Sequence, residues 1–327
     1  MASRVTESTS NRSERDMGGQ RGPAGLSTAV VLVTRNRLEL LKRSLESVLN
    51  QTLSPDRIVV VDNNSTDGTS DWLREFVKDR PHTELILLAE NKGSSGGFSL
   101  GMRAAYEAGA DWIWTLDDDV IADPDALEQL VARIKPLSPT ALKRVGYVCS
   151  KVVWTDGSRH RHNVPVASRF WWDGYEIIPG SIQLDAATFV SALFSRTAVK
   201  AVGFPVEEFF MWWDDVEYTL RLSDAGFWGY HVDESRVMHL TAENKTSDYC
   251  FVNEENVWRY HYGFRNQVAV LKSRKRGWIM AFWKIVVTVV EMLQNRVPVR
   301  LILPLALSGF KGYFFNYRKF IIQAEKA

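Results

Sequence analysis

Through the first third of the chain, short continuous apolar runs alternate with stretches whose apolar positions recur at helical spacing. Thr28–Thr34 is such a run, as expected of a strand covered on both faces. Leu38, Leu41, Leu45, Val48 and Leu49 then mark one side of a helix through Gln51. Arg57–Asp62 predicts a second buried strand ending in an acid, and Ser65-Thr66-Asp67-Gly68 is turn and cap chemistry that opens a helix through about Lys78. Glu84–Ala89 predicts a third strand, Gly96–Ala108 a third helix and Asp111–Leu116 a fourth strand. Alternation of this length predicts an α/β fold, a Rossmann-like, doubly wound and mostly parallel sheet. In such sheets ligands bind beyond the carboxyl ends of the strands. Thr34, Asp62, Asn91 and the cluster Asp117-Asp118-Asp119 all fall there.

Beyond a helix expected from about Pro124 to Ile134, the pattern is less regular. Residues 146–154, 166–178 and 186–194 predict strands, the second containing Phe170-Trp171-Trp172, and a short helix is expected near 196–202. The segment Glu207–Glu217 opens a helix through about Ala225, Gly229–Val232 and Arg236–His239 predict two short strands, and a helix from about Glu254 to Lys272 precedes the basic Arg274-Lys275-Arg276. Trp278–Val290 is then apolar except for one lysine, and Val297–Phe310 is a second apolar run broken by Pro298, Arg300 and Pro304. Neither reaches the ~20 apolar residues of a spanning helix. Their basic and aromatic flanks predict segments lying on a membrane surface, with Lys284 and Arg300 reaching toward headgroups. A helical pair packed on the core, or an oligomer contact, is the other reading. The chain thus divides into a disordered tail at 1–27, an α/β domain at 28–250 and a basic, apolar helical region at 251–327.

The net charge of +1 hides a polarity. Residues 256–327 hold 13 Lys/Arg and 2 Asp/Glu, a charge of +11, so the preceding residues carry −10. A last quarter of that sign meets an anionic surface, while the front handles cations. No nucleic-acid partner is expected. Two cysteines, Cys149 and Cys250, without Cys-x-x-Cys spacing, exclude a disulfide framework or zinc ribbon and fit reduced thiols in the cytosol. The first 25 or so residues lack an apolar run and read as a tail, not a signal peptide.

Three acids directly after the apolar Trp112–Leu116 each lose hydration unless a cation compensates them. Oxygen ligands of this kind suit Mg²⁺ or Mn²⁺ carrying a diphosphate, although a solvated turn before Asp123-Pro124 fits the same residues. Asp62 is placed to accept from a uracil or ribose group, or simply to close a turn with Asn63-Asn64. Asn91-Lys92-Gly93-Ser94-Ser95-Gly96-Gly97 precedes a helix, and its glycines would let backbone approach a nucleotide; it is neither a P-loop nor a dinucleotide fingerprint. Asp214-Asp215, walled by Phe210, Trp212 and Trp213, is placed to act as general base toward a sugar hydroxyl, or to cap a helix. His239 is a candidate third metal ligand.

Taken in order, Val61-Asp62-Asn63, the Asn91–Phe98 loop, Leu116–Val120, Trp213-Asp214-Asp215, Met238-His239 and Trp258–Asn266 resemble the inverting, family 2 glycosyltransferases of GT-A type over roughly residues 28–270. Within them the pattern is similar to the actinobacterial galactofuranosyltransferases that build cell-wall galactan on a polyprenyl-diphosphate carrier. The resemblance implies that Asp117, Asp119 and His239 hold a Mn²⁺ or Mg²⁺ ion, and that Thr34, Asp62, Asn91, Gly93, Gly96, Gly97, Asp118 and Arg265 bind a UDP-sugar donor. It implies Asp215 as catalytic base, Asp214 beside it, and Trp212 and Trp213 against a polyprenyl-diphosphate-linked glycan acceptor. A peripheral enzyme at the cytoplasmic face of the plasma membrane follows, with oligomers left open. Lys92 and Ser94-Ser95 depart from the usual loop, and the acids do not name the sugar. A rhamnosyltransferase using dTDP-rhamnose presents much the same set, and a non-catalytic nucleotide-sugar-binding protein is the reading from another class. With the first strand by residue 28, addition of one or a few sugars is expected over polymerisation.

Overall fold

In the computed structural model, which describes residues 3–5, 26–169, 178 and 181–324, the apolar runs of the first half become strands buried on both faces. Ser3–Val5 (β1) lies at the sheet edge beside β4 (Thr83–Leu87), inside the segment expected to be a disordered tail; residues 6–25 of that tail lie outside the described residues. The strands β2 (Thr28–Thr34), β3 (Arg57–Asp62), β4 and β5 (Trp112–Asp117) pair in parallel in the order β4-β3-β2-β5. Helices α1 (Leu38–Leu49), α2 (Thr69–Lys78) and α3 (Gly93–Glu107) connect them. Because side chains alternate along a strand, Val30 and Leu32 pack on the α1 side while Ala29, Val31 and Val33 pack on the α3 side. Truncating a residue such as Leu32, fully buried, would cost about 2–5 kcal/mol.

Beyond β5 the sheet turns largely antiparallel, which corrects the expectation of a mostly parallel sheet. The short β6 (Val120–Ala122), α4 (Ala126–Ile134) and α5 (Pro139–Leu142) lead to β7 (Val145–Val153). A two-residue β8 (Val166–Ala167), β9 (Ile182–Ala186) and β10 (Ala192–Ser195) follow, with β10 inserted antiparallel between β5 and β7. The aromatic Phe170-Trp171-Trp172 lies outside the described residues. Residues 186–194 are not one strand. Ala187–Ser191 loops between β9 and β10, with Ser191 at φ +59° and its hydroxyl bonded to Trp114 Nε1 at 3.0 Å. Phe189 and Val190 are as buried there as strand residues, so hydrophobicity alone did not separate loop from strand.

The helix α6 (Arg196–Val202) is where it was expected, whereas α7 (Asp214–Asp224) starts later than the Glu207–Glu217 segment suggested. The two short strands expected near His239 are one long β11 (Trp228–His239), parallel to β7, with a register shift between Val232 and Arg236. Its last residues pair with β6, placing His239 opposite Val120 and therefore beside Asp119. The chain ends in α8 (Val257–Ser273), α9 (Gly277–Gln294) and α10 (Val299–Phe314), which share a core of their own around Phe264, Ile285, Met292 and Leu305. The sequence understated α9. Its eighteen residues are long and apolar enough to cross a membrane, by length and composition. Gly277, Ala281, Ile285, Thr288 and Met292 form its buried stripe, and the opposite face exposes Trp278, Phe282, Trp283 and Val287.

Candidate active site

The parallel register sets the site's rim. Thr34 of β2 faces Asp62 of β3 on one side, and Val33 faces Asp117 of β5 on the other. From that rim Asp117, Asp119 and His239 each present one ligand atom, all within 4.8 Å of one another. Asp119 divides its oxygens: Oδ2 accepts from Arg37 Nη1 at 2.7 Å, while the buried Oδ1 has no hydrogen-bond partner. Oδ1 lies 3.1 Å from His239 Nε2, close enough for an ion pair but without hydrogen-bond geometry. The other ring nitrogen, Nδ1, is 2.8 Å from Asn163 Oδ1, an acceptor that fixes the ring proton there. In the neutral tautomer, Nε2 therefore keeps a free lone pair 3.1 Å from Asp119 Oδ1. Two carboxylates and an imidazole arranged this way fit a divalent cation such as Mn²⁺ or Mg²⁺.

The charges fit as well. Burial, then the Asp119 carboxylate, push Asp117 up to about 7, the signature of a site short of positive charge. Burial works against a charged His239 ring, yet Asp119 and Asp117 raise it above its ordinary range, so a proton substitutes in part for a cation. His160 stacks on His239 with centroids 4.6 Å apart, and burial followed by the His239 charge lowers it to about 4, leaving a neutral plate that fixes the ligand ring. Asp118 does not join the ligand group. Thr34 Oγ1 donates to it at 2.8 Å and Arg37 at 3.0 Å, which turns it toward the start of α1.

Asp214 and Asp215 open α7 across the same cleft, a space of about 520 Å³ that runs from Asp117 to Trp258. Burial pushes Asp214 up to about 6, and burial with Asp214 pushes Asp215 up to about 8. The loop before them is strained: Phe210, Trp212 and Trp213 have φ of +66°, +61° and +69°, at about 1–3 kcal/mol each. Asn266 of α8 holds it, its Nδ2 within 2.9–3.0 Å of the carbonyls of Phe209, Met211 and Trp212. Arg265 joins in, donating to Glu208 O at 2.6 Å and Phe209 O at 3.2 Å. Gly93 answers from the other side at φ +70°, where a Cβ would meet Phe210 O at 1.8 Å.

Several expected donor residues are thus placed differently. Arg265 is turned away from the cleft into the loop clamp. Gly93 lines the cleft but serves contact with Phe210; Gly96 is closed off by Lys92 and Gly97 by Val33, where an added Cβ would come within 2.3 Å of a methyl. Asn91 lines the cleft and bonds Gly93 N at 2.9 Å, while Asp62, bonded by Ser70 and Ser65, borders an adjoining hollow of about 350 Å³. Thr34 lines the cleft beside Asp118, and Trp212 lines it nearer Asp215. Trp213 faces a second cavity on the far side of Asp215. The residues that sequence reasoning passed over are Arg37, His160, Asn163 and the clamping role of Asn266. The basic Arg35-Asn36-Arg37 after the first strand was a usable signal for Arg37.

A sheet of this order, with acids at the strand ends and a second acid pair across the cleft, defines the GT-A-like class of fold. Residues 29–203 match the sequence profile of Glycosyl transferase family 2, and the chain belongs to that family. It is similar to galactofuranosyltransferase GlfT1 of Mycobacterium tuberculosis, 33% identical over 213 residues, covering 61% of this chain and 66% of the relative. GlfT1 of Mycolicibacterium smegmatis is 33% identical over 209 residues, covering 60% and 65%. These matches span about two thirds of the relatives' length. Among solved structures, GalNAc-T7 with UDP, GalNAc and Mn²⁺ gives a TM-score of 0.56 at 16% identity, covering 75% of this chain and 47% of that one, a likeness of fold.

Proposed function

We propose that this chain is a metal-dependent, inverting glycosyltransferase that moves galactofuranose from UDP-galactofuranose to a polyprenyl-diphosphate-linked glycan during cell-envelope synthesis. The observation that carries the reading is the unpartnered Asp119 Oδ1 facing His239 Nε2, in one cleft with Asp215. The galactofuranose donor rests on the similarity to GlfT1.

Asp117, Asp119 and His239 would hold the divalent cation, which when bound neutralises charge on the departing diphosphate. Arg37 fixes Asp118 and one oxygen of Asp119, keeping the other oxygen directed inward. Asp215 removes the proton from an acceptor hydroxyl as that oxygen bonds to the anomeric carbon. The bond from that carbon to the diphosphate oxygen breaks in the same step, UDP leaves, and the proton stays on Asp215. One displacement inverts the anomeric centre. Residues 28–250 form the transferase unit in this reading, and 251–327 place it on the cytoplasmic face of the plasma membrane. Trp283, Leu303 and Phe314, 57%, 63% and 77% exposed, support that docking, as do the basic residues between and beside them.

The test is a donor screen with purified protein, offering UDP-galactofuranose, dTDP-rhamnose and common UDP-hexoses to a polyprenyl-diphosphate disaccharide, with and without chelator. Turnover with UDP-galactofuranose that chelator abolishes and Mn²⁺ or Mg²⁺ restores is expected. Turnover with dTDP-rhamnose alone would assign the rhamnosyl reaction, and donor binding without turnover would leave a binding protein.

A further inference from the structure

On the far side of Trp212 the cleft opens into a second cavity of about 610 Å³. Trp212, Asp215, His162 and Ser247 line both spaces, so the two meet at the carboxylate that faces the acceptor hydroxyl. The outer wall is supplied by α8 and α9 through Gln267, Lys284 and Glu291. Trp212 stands edge-on to Tyr260 with centroids 5.0 Å apart and offers an apolar plate of the kind that packs against sugar rings.

Lys284 is the single Lys or Arg in that wall among the described residues. It interrupts the apolar run of α9, and its spacing places it with the inward residues: three after Ala281 and four before Thr288, both buried. The lipid-facing flank belongs instead to Phe282, Trp283 and Val287. Its ammonium lies 5.5 Å from the centre of the Tyr249 ring, whose hydroxyl is fixed on Gln267 Oε1 at 3.0 Å. Glu291, Asp248 and Asp215 line the same cavity, yet no ion pair joins Lys284 to any of them or to any other described carboxylate. A half-buried cation on the inward side of α9, lining a cavity and without an ion pair, points to an anion arriving with a ligand.

We propose that this cavity holds the sugars of the acceptor and that Lys284 binds the phosphate to which those sugars are attached, so that the chain selects glycosyl phosphates over neutral glycosides. The inference rests on the transferase reading above and adds the acceptor's subsite and its recognising charge. The same α9 that turns aromatic residues outward thereby presents the phosphate receptor inward, matching an acceptor whose lipid stays in the membrane while its sugars enter the protein.

The test is calorimetric titration of the full chain in neutral detergent micelles, without donor, using two ligands that carry one disaccharide. One is a short-chain prenyl diphosphate and the other an octyl glycoside. Wild type is expected to prefer the diphosphate by about tenfold, K284Q to lose that preference while binding the octyl glycoside unchanged, and K284R to restore most of it. Unchanged octyl-glycoside binding also certifies that K284Q is folded. Equal weakening toward both ligands, or no change toward either, would overturn the proposal. Competition of anionic phospholipid with the diphosphate ligand would assign Lys284 to a lipid headgroup and overturn it too. Because no donor is present, a failed donor screen leaves this result standing, and the two readings fail separately.

Discussion

At the sheet rim, Asp117 and Asp119 stand at the end of a strand buried on both faces, and Arg37, Thr34 and Asn163 fix the side chains around them. The outer wall of the second cavity, which meets that cleft at Asp215, belongs to α8 and α9, helices with their own small core and an outer face of exposed aromatics. The rim gains its geometry from strand register, which a whole sheet enforces. The helical wall is held to the rest by the packing of Ala269 and Val270 on Val206 and Phe209 and by a seam where Asn266 and Arg265 grip carbonyls of residues 208–212. In the reading proposed above, the metal-holding chemistry sits on the first kind of support and acceptor recognition on the second.

The largest break in that contrast comes at the point where both sides meet. Asp215→Asn should lower turnover by about 10²–10⁴-fold while donor affinity, measured by titration with UDP, stays within about twofold. Loss of UDP binding in parallel would mean that the residue builds the donor site. Next comes the seam. Asn266→Ala removes three hydrogen bonds to buried or part-buried loop carbonyls, which should cost about 1–3 kcal/mol of stability in denaturant unfolding. It should also reduce kcat more than it raises the donor KM, because the acid pair loses its placement while the rim is untouched. Equal stability with unchanged kcat would show that the seam does not position the base.

A smaller effect separates the two sides by pH. Burial and Asp214 raise Asp215 to about 8, and a general base works only when deprotonated, so activity should fall as pH drops through that raised value, well above the range of an exposed carboxylate. Bound cation opposes the shift, so kcat/KM profiles at rising Mn²⁺ should move their acid limb downward. Asp214→Asn should move it downward as well, by removing the like charge. A limb fixed near 4 under all conditions would exclude Asp215 as the titrating base. The smallest effect concerns the outer face alone. Trp283→Asp should weaken sedimentation with anionic vesicles several-fold and leave transfer to a water-soluble acceptor unchanged; lost transfer would mean that α9 supports the active site through that face.

The sequence made the rim legible because each apolar run there ends in a polar residue at the same edge. Thr34, Asp62 and Asp117 could be aligned by counting alone. His239 was reachable through the resemblance, although the reason it meets Asp119, pairing of β6 with the tail of β11, joins residues far apart in the chain. The place of Arg265 was not legible because what it touches is invisible to local pattern. It grips carbonyls 56 and 57 positions earlier and lies 4.9 Å from the ring of Phe315. The glycines of the Asn91–Phe98 loop are sites of close approach, and the groups that approach them are Phe210, Lys92 and Val33. The loop at Ala187–Ser191 escaped because buried loop and buried strand use the same residues.

The break in the pairing of β11 with β7 between Val232 and Arg236 acts as a slip joint. Side chains on a strand alternate sides, so a one-residue insertion normally reverses every position downstream. Here Asp233, Glu234 and Ser235 stand between partners that are adjacent on β7, so Arg236–His239 take their parity from their own pairing with β7 and β6 and not from the count since Trp228. Ser235, buried and bonded to Ser150 and Ala126, locks that change of phase, and with it the side to which the imidazole at position 239 is turned.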